Sequence, residues 1–378
     1  MSLNCLCIIS CLALLILETG TTVVEQSSCS SGASDDIVSA LQVPAKSPRK
    51  FEVQTVDLGQ NISLKVLRNK VSGEQADIVW TYGGKIDSLI LKSASTGKLQ
   101  ETLIGSNRNA SEILKTNWVN GLLIPYANRI ANNGNYTLNG QAYHLSSSIH
   151  GLLLGQPMVV LSESSGCSAS VTLGWGLSSK EAEEHGYPGP LSVQISYILD
   201  EDGFTIRTKA ENPAEAGGPL PFYMGWHPYF KVSDVSRSKV ILDNCTKWNH
   251  ITLDDEKIPT GFTEPFNAFN GSEAIGGSYE KPTPWDDGLK MTGLPAACRD
   301  RIETQIVDPK GSTTVLWQGI PAFQWMQVYT GGVEAGVGQG IAVEPMSAET
   351  NAYNNFQGTE LFLQAGEAWE GAFGVKLF

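Results

Sequence analysis

Alternation of apolar and polar residues over short stretches constrains the fold of this chain more than any other feature. In LSVQISYIL, residues 191–199, every second residue is apolar and those between them are mostly polar. FTIRTKA, residues 204–210, follows after DEDG, in which the glycine suits the positive φ of a tight hairpin turn. The two segments are therefore predicted to form neighbouring antiparallel strands. The face predicted to be buried carries Leu191, Val193, Ile195, Tyr197 and Leu199.

Comparable short segments recur along the chain, whereas the 3.6-residue periodicity of helices is weak throughout. The 39 glycines and 18 prolines favour short strands joined by turns. Because each strand must bury one face against a second sheet, we predict an all-β fold, one large antiparallel sandwich over residues 51–378. Further strands are predicted over 51–57, 62–67, 85–92, 238–243, 301–308, 313–317, 322–329, 340–344 and 371–377.

The N-terminus, MSLNCLCIISCLALLILETG, contains an apolar stretch over residues 5–17 that is too short to span a bilayer comfortably. It is typical of the hydrophobic region of a secretory signal peptide, predicted here over residues 1–20. Residues 21–50 are polar without steady periodicity and are predicted to form a flexible lead-in. The mature protein is therefore expected outside the cell or in the lumen of the secretory pathway, with no membrane attachment after signal cleavage.

Cysteines and glycosylation motifs also indicate export. Beyond the predicted signal peptide the cysteines are Cys29, Cys167, Cys245 and Cys298, which allow two disulfides in three pairings. A metal site formed by them is not expected, because none has C-x-x-C spacing. Sequons for N-glycosylation, which predict a glycoprotein, begin at Asn61, Asn109, Asn135, Asn244 and Asn270.

The charge balance limits the partners of the protein. A net charge of -13 excludes nucleic acid, whose phosphates require a basic surface, and disfavours anionic membranes and polyanionic substrates. A solvated acidic surface accounts for this charge without any partner. A small neutral molecule remains compatible with it.

Four stretches combine ionisable or amide side chains with turns or strand ends. Asn128 and Arg129 lie side by side in 125–140, His150 precedes a glycine, His227 lies in the aromatic run PFYMGWHPYFKV, and Glu344 closes the apolar run GIAV before a proline. Taken singly, each also fits a structural role, such as a surface ion pair, a turn cap or a packed histidine bonded to the backbone. Glu344 is the hardest to explain by a structural role alone, because side chains at strand ends tend to project into clefts.

A histidine and a glutamate that met in one cleft would have complementary roles. An ionised carboxylate accepts a proton, and it stabilises the charged form of a neighbouring histidine, which can then donate one. The chain has no G-x-S-x-G nucleophile motif and no zincin spacing. The residues therefore favour acid–base chemistry without metal, cofactor or covalent intermediate.

Seven stretches, in order along the chain, resemble motifs of the aldose 1-epimerase (galactose mutarotase) family. They are YANRI at 126–130, IHG at 149–151, EEHGYPGPLSVQISYIL at 183–199, WHPYF at 226–230, QVYTGG at 327–332, AVEPMSAETNAYN at 342–354 and LQAGEAWEGAFGVKLF at 363–378. The resemblance runs from about residue 51 to the C-terminus. It implies a β-supersandwich and cofactor-free interconversion of the α and β anomers of a free aldose such as glucose or galactose.

The resemblance also implies roles for particular residues. Glu344 is expected to be the general base at the C1 hydroxyl, and His227 the general acid at the ring oxygen. The residues expected to bind the sugar are Asn128, Arg129, His150, Gln327 and Asp286, with Asp287 as the competing choice for the aspartate.

Departures from the family motifs leave the preferred sugar open. Leu152 replaces the second glycine after His150, Trp226 stands where a small hydroxyl residue is usual, and Met346 replaces a glutamine. We expect Trp226 or Tyr229 to face the C–H surface of the sugar. A hexose-6-phosphate 1-epimerase, which would need several cations around the phosphate, and a non-catalytic carbohydrate-binding protein are the alternatives. The oligomeric state is left open.

Overall fold

A computed structural model describes residues 50–276, 285–293, 298, 300–331, 340–355 and 361–378. The predicted signal peptide and all but the last residue of the predicted lead-in lie outside these ranges. The strands, in chain order, are β1 Phe51–Asp57, β2 Ser63–Asn69, β3 Gln75–Val79, β4 Lys85–Lys92, β5 Leu99–Glu101, β6 Leu122–Leu123, β7 Asn135–Leu138, β8 Gln141–His144, β9 Val159–Ser165, β10 Ala169–Leu177, β11 Leu191–Asp200, β12 Gly203–Glu211, β13 Leu220–Pro221, β14 Gly225–Trp226, β15 Tyr229–Lys231, β16 Lys239–Ile241, β17 Trp248–Leu253, β18 Pro259–Phe266, β19 Asp286–Met291, β20 Arg301–Val307, β21 Thr313–Gly319, β22 Trp325–Tyr329, β23 Gly340–Met346, β24 Phe362–Leu363 and β25 Ala368–Leu377.

Helices are short. They are α1 Ala110–Lys115, α2 Ala131–Gly134, α3 Ser179–Glu184 and α4 Ala352–Asn355, with 3-10 turns at Ala214–Ala216 and Val235–Arg237. Within the described ranges, no helix is long and apolar enough to cross a membrane.

Two large antiparallel sheets form the body of the fold. One has the strand order β16-β20-β21-β25-β12-β11-β10-β9, and the other, named here the site sheet, has the order β18-β17-β19-β22-β23-β14-β6, with β15 also paired to β23. A five-stranded meander, β1 to β5, and two small two-stranded sheets complete it. The predicted all-β supersandwich is confirmed.

The predicted hairpin at 191–210 shows how alternation produces this architecture. In β11 the five apolar residues of the predicted face are all buried, and the residues between them are not. Asp200 pairs with Gly203 across a two-residue turn. Gly203 has φ +117, and a Cβ there would lie 2.5 Å from the Val375 carbonyl oxygen of β25. Only glycine therefore lets β12 begin so close to its neighbour.

A disulfide between Cys245 and Cys298 ties the start of β17 to the segment between β19 and β20, with the two Cα atoms 5.1 Å apart. This selects one of the three pairings left open by the sequence. Cys167 is also disulfide-bonded. The asparagines of all five sequons are exposed.

Candidate active site

A cavity of about 240 Å³ opens on the site sheet. At about 30 Å³ per water, this volume equals roughly eight water molecules, the scale of a single sugar ring. Its lining residues are Trp118, Asn128, Arg129, His150, His227, Tyr229, Asp286, Gln327, Tyr329 and Glu344. The seven site residues inferred from the sequence thus surround one cavity.

Strand register places the central residues in a row across the sheet. Glu344 of β23 lies opposite Gln327 of β22. On its other side, Gly225 of β14 pairs with Met346 and Tyr229 of β15 pairs with Ala342, so His227 falls opposite Glu344. Pro228 has no N–H to donate, which interrupts the ladder at this point. His227 Nε2 lies 3.6 Å from Glu344 Oε1, and both side chains are almost fully buried.

A second wall comes from the segment around Asn128 and the turn carrying His150. Both residues adopt the left-handed region, with φ +52 and +64, which is uncommon for residues other than glycine. The His150 N–H donates to the Asn128 carbonyl oxygen at 2.7 Å, so the two turns hold each other. Arg129 Nε donates to Asn128 Oδ1 at 3.1 Å. The rings of His150 and His227 meet edge to face at 5.2 Å.

Buried tyrosines fix this wall from behind. The Tyr223 hydroxyl donates to the Ala127 carbonyl oxygen at 3.2 Å, and the Tyr353 hydroxyl to that of Pro125 at 2.9 Å. The two rings pack edge to face at 5.3 Å. Because these bonds satisfy backbone oxygens on both sides of Tyr126, the chain leading to Asn128 is held by packed side chains.

Asp286 and its neighbour Asp287 have different surroundings. Gln327 Nε2 donates to Asp286 Oδ1 at 2.9 Å, and Lys257 Nζ lies 3.9 Å from Asp286 Oδ2. Asp287 Oδ1 lies 2.7 Å from His250 Nε2 and does not line the cavity. Neighbouring strand residues point to opposite faces, which separates the two carboxylates.

Aromatic side chains form the remaining wall. Tyr229 stacks on His227 with ring centres 4.9 Å apart, and the Trp118 side chain hydrogen-bonds its hydroxyl. Trp118 and Tyr329 were not identified from the sequence. The expectation for Trp226 was wrong: it is fully buried on the opposite face, stacked on Phe373 of β25 at 5.3 Å. Tyr229, two residues after His227, shares its face.

Burial sets the protonation of the central pair. It raises the pKa of Glu344 well above its usual value; nearby Asp286 raises it further, and Arg129 lowers it. Burial also lowers the pKa of His227 well below its usual value, and His150 lowers it further. The pKa of His150 falls to about 4 through burial and the charge of Arg129.

These shifts favour an uncharged pair in the protein by itself. At 3.6 Å an ion pair gains roughly 4–5 kcal/mol at an effective dielectric constant of about 20. Burying the two charges costs several kcal/mol each, so desolvation wins. These directions run against the expectation of an ionised Glu344 beside a charged His227 in this state. The neutral pair and the ion pair nevertheless hold the same number of protons and differ only in where one proton resides.

Three buried polar atoms of the described site residues have unsatisfied hydrogen-bonding capacity. Within the described ranges, His150 Nδ1, His227 Nδ1 and Glu344 Oε2 are buried without a hydrogen-bond partner. Such atoms each cost about 1–3 kcal/mol until something bonds to them. Among the same residues, no group of three or more His, Cys, Asp or Glu side chains is arranged to hold a metal ion.

Fold and site together define a β-supersandwich protein with a buried carboxyl–imidazole pair in a cavity the size of a monosaccharide. The family model for aldose 1-epimerase matches residues 66–376. The chain belongs to the aldose 1-epimerase family.

Relatives by sequence are distant. The chain is 30% identical to the uncharacterized protein YihR of Escherichia coli (strain K12) over 254 residues, which cover 64% of this chain and 73% of that protein. It is 27% identical to galactose mutarotase of Rattus norvegicus over 199 residues, which cover 50% of this chain and 54% of the mutarotase. The chain thus spans about half the length of the galactose mutarotases it matches.

Solved structures share the fold. A galactose mutarotase-like protein from Clostridium acetobutylicum superposes with a TM-score of 0.70 at 16% identity, covering 87% of this chain and 99% of that one. Galactose 1-epimerase from Lactobacillus acidophilus gives a TM-score of 0.66 at 15% identity, with the same coverage. At such identities the likeness concerns the fold alone.

Proposed function

We propose that this protein is an aldose 1-epimerase, an isomerase that interconverts the α and β anomers of a free hexose. The observation that carries the proposal is the buried pair His227 and Glu344, facing each other at 3.6 Å inside a monosaccharide-sized cavity. One group can accept a proton while the other donates one, which is what ring opening of a pyranose requires.

Proton transfer in the proposed reaction balances within the pair. In ring opening, the Glu344 carboxylate takes the proton of the C1 hydroxyl and the His227 imidazolium gives its proton to the ring oxygen. The C1–O5 bond breaks as the C1 carbonyl forms, and the pair becomes neutral. After rotation about C1–C2, ring closure reverses both transfers: the C5 hydroxyl oxygen attacks C1 and gives its proton to neutral His227, while protonated Glu344 gives its proton to the C1 oxygen. The arrangement that burial favours is therefore one of the two that the cycle uses.

Other cavity residues match the two surfaces of a pyranose. Asp286 and Gln327 form a bonded amide–carboxylate unit at one end, suited to neighbouring hydroxyl groups. Asn128, Arg129 and His150 are proposed to bind further hydroxyls, or the carbonyl oxygen that forms on opening. Tyr229, with Trp118 beside it, is positioned for the C–H face of the sugar.

Charge favours a free hexose over a hexose phosphate. Among the described residues, the cations near the cavity are Arg129, which faces the Glu256 carbonyl oxygen, and Lys257, which faces Asp286. Asp286, which also lines the cavity, would repel a phosphate dianion. A non-catalytic sugar-binding protein would not require the His227–Glu344 pair. Both alternatives remain testable with the same assay.

Exchange between anomeric protons, measured by NMR at equilibrium across a panel of hexoses, tests the proposal. We expect exchange far above the uncatalysed rate for at least one free hexose and none for glucose 6-phosphate. Faster exchange with glucose 6-phosphate than with any free hexose would favour a hexose-6-phosphate 1-epimerase. Sugar binding without exchange would favour the binding protein.

We also propose that the protein is exported through the secretory pathway. The Cys245–Cys298 disulfide and the exposure of all five sequon asparagines are compatible with an oxidising, glycosylating compartment. Expression in eukaryotic cells, followed by glycosidase treatment and N-terminal sequencing, tests this. A glycan-free protein retained in the cytosol would contradict it.

A further inference from the structure

His227 lies between β14 and β15, at a point where no pairing with β23 is formed. β14 and β15 pair with β23 on either side of the His–Pro step, but His227 itself belongs to neither ladder. Its two main-chain groups bond elsewhere: the His227 N–H donates to the Gly121 carbonyl oxygen at 3.0 Å, and the Asn120 N–H donates to the His227 carbonyl oxygen at 2.9 Å. These bonds continue the register of the β14–β6 pairing, so the two-residue segment 120–121 holds the main chain of His227 on the side away from β23.

Asn120 also bonds to residues on both sides of the His–Pro step, to Tyr229 through its side chain and to Trp226 through its carbonyl oxygen. Its Oδ1 accepts from the Tyr229 N–H at 2.9 Å, and its Nδ2 donates to the Ile104 carbonyl oxygen at 2.7 Å. The Trp226 indole N–H donates to the Asn120 carbonyl oxygen at 3.1 Å. Asn120 is 1% exposed and has φ +56, a conformation that asparagine tolerates better than most residues.

We propose that Asn120 is a positioning residue that fixes the His227 ring for proton transfer. The inference rests on the proposed epimerase function. Because the Tyr229 ring stacks on the His227 ring, holding the Tyr229 backbone also holds the surface against which the imidazole packs. Asn120 does not line the cavity, so it acts on the sugar only through His227 and Tyr229.

The variant Asn120→Gly tests this directly. Glycine keeps the positive φ and both backbone bonds to His227, and it removes only the side-chain bonds to Tyr229 and Ile104. We expect kcat to fall about 100-fold, the loss that a displacement of about 1 Å can cause. KM should stay within about threefold, because the side chains proposed to bind the sugar hydroxyls belong to other segments. Asn139→Gly is the matched control, since Asn139 also has positive φ (+50) but lies exposed in the β7–β8 turn.

NMR titration of the His227 ring provides a readout that a purely structural role would not change. In Asn120→Gly we expect the pKa of His227 to rise towards its usual value, because a loosened ring admits water. A variant with lowered Tm but wild-type kcat and His227 pKa would overturn the proposal.

A second variant covers the case in which Asn120→Gly does not fold. Asn120→Asp keeps an acceptor for the Tyr229 N–H and loses the donor to Ile104. We expect its kcat to fall about tenfold and the pKa of His227 to rise; wild-type values for both would overturn the inference. If the wild-type protein interconverts no hexose, the proposed function fails, and the His227 titration still decides the positioning role.

Discussion

Replacing Glu344 with glutamine separates catalysis from stability in this site. The change keeps the size of the side chain, and its amide can still face His227 Nε2 at the 3.6 Å of the native pair. What it removes is the ability to carry a proton. General acid–base groups contribute about 10²–10⁴-fold to a rate, so we expect kcat for anomer exchange to fall by that factor, equivalent to about 3–5 kcal/mol of barrier.

The stability of the protein, in contrast to its activity, should hardly change in this variant. Because burial raises the pKa of Glu344 well above its usual value and so favours the protonated form, the neutral amide is expected to replace a group of the same charge. We expect the free energy of unfolding at pH 7 to change by about 1 kcal/mol or less, the usual scale of a volume-conserving change. Were the native pair ionised, the same change would leave a charged imidazolium buried alone, at a cost of about 3–5 kcal/mol.

Two measurements on one preparation decide both points. NMR exchange spectroscopy of the anomeric protons gives kcat and KM, and urea unfolding gives the stability. Glu370→Gln, an exposed change on β25 in the other large sheet, is the matched control. Activity within tenfold of wild type would refute the catalytic role of Glu344. A loss of 3–5 kcal/mol in stability would instead refute the neutral pair.

Other changes probe the surroundings of the pair. Asp286→Asn should raise KM at least tenfold, and Asp287→Asn should leave it unchanged; equal effects in the sugar assay would contradict the assignment. The pKa of His150, lowered to about 4, means that the unfolded chain binds the extra proton first as pH falls below 6.5. The free energy of unfolding should therefore fall by up to about 3 kcal/mol as the pH is lowered from 6.5 to 4. The fall should be smaller in His150→Gln, and urea unfolding at each pH measures both. Trp226→Phe should cost about 1–3 kcal/mol of stability without altering the order of sugar preference measured across the hexose panel. Because both arrangements of the acid–base pair hold one proton, kcat should stay level through pH 6.5, and a step there in the pH–rate profile would contradict the shifted pKa values.

Alternation in the sequence was sufficient to predict much of the sheet structure. The strands predicted at 51–57 and 85–92 have the observed bounds, and the strand at 191–199 is one residue longer. β18, Pro259–Phe266, escaped prediction because it is an edge strand exposed on both faces. A strand that buries neither face carries no apolar alternation.

The site shows a different limit. Motifs identified His227 and Glu344, but they are 117 residues apart, and only the pairing of β15 with β23 places them opposite each other. Period-two alternation within strands would have corrected the error at Trp226, since a neighbour of His227 must face the core. The same rule places Tyr329 beside Gln327 on the cavity face. Trp118 lies in a turn after α1, where no periodicity applies, and only the fold reveals it.

Burial of the pair has a consequence for a reversible reaction. In the proposed reaction, ring opening uses the ion pair and ring closure uses the neutral pair, so strong stabilisation of one arrangement would slow the opposite step. Desolvation favours the neutral arrangement, while the charge of Arg129 lowers the pKa of Glu344 and so favours the ion pair. Sugar hydroxyls bonded to the unpartnered Glu344 Oε2 would stabilise the carboxylate further. The opposing effects bring the two arrangements closer in free energy once sugar is bound, which is the balance that interconversion in both directions requires.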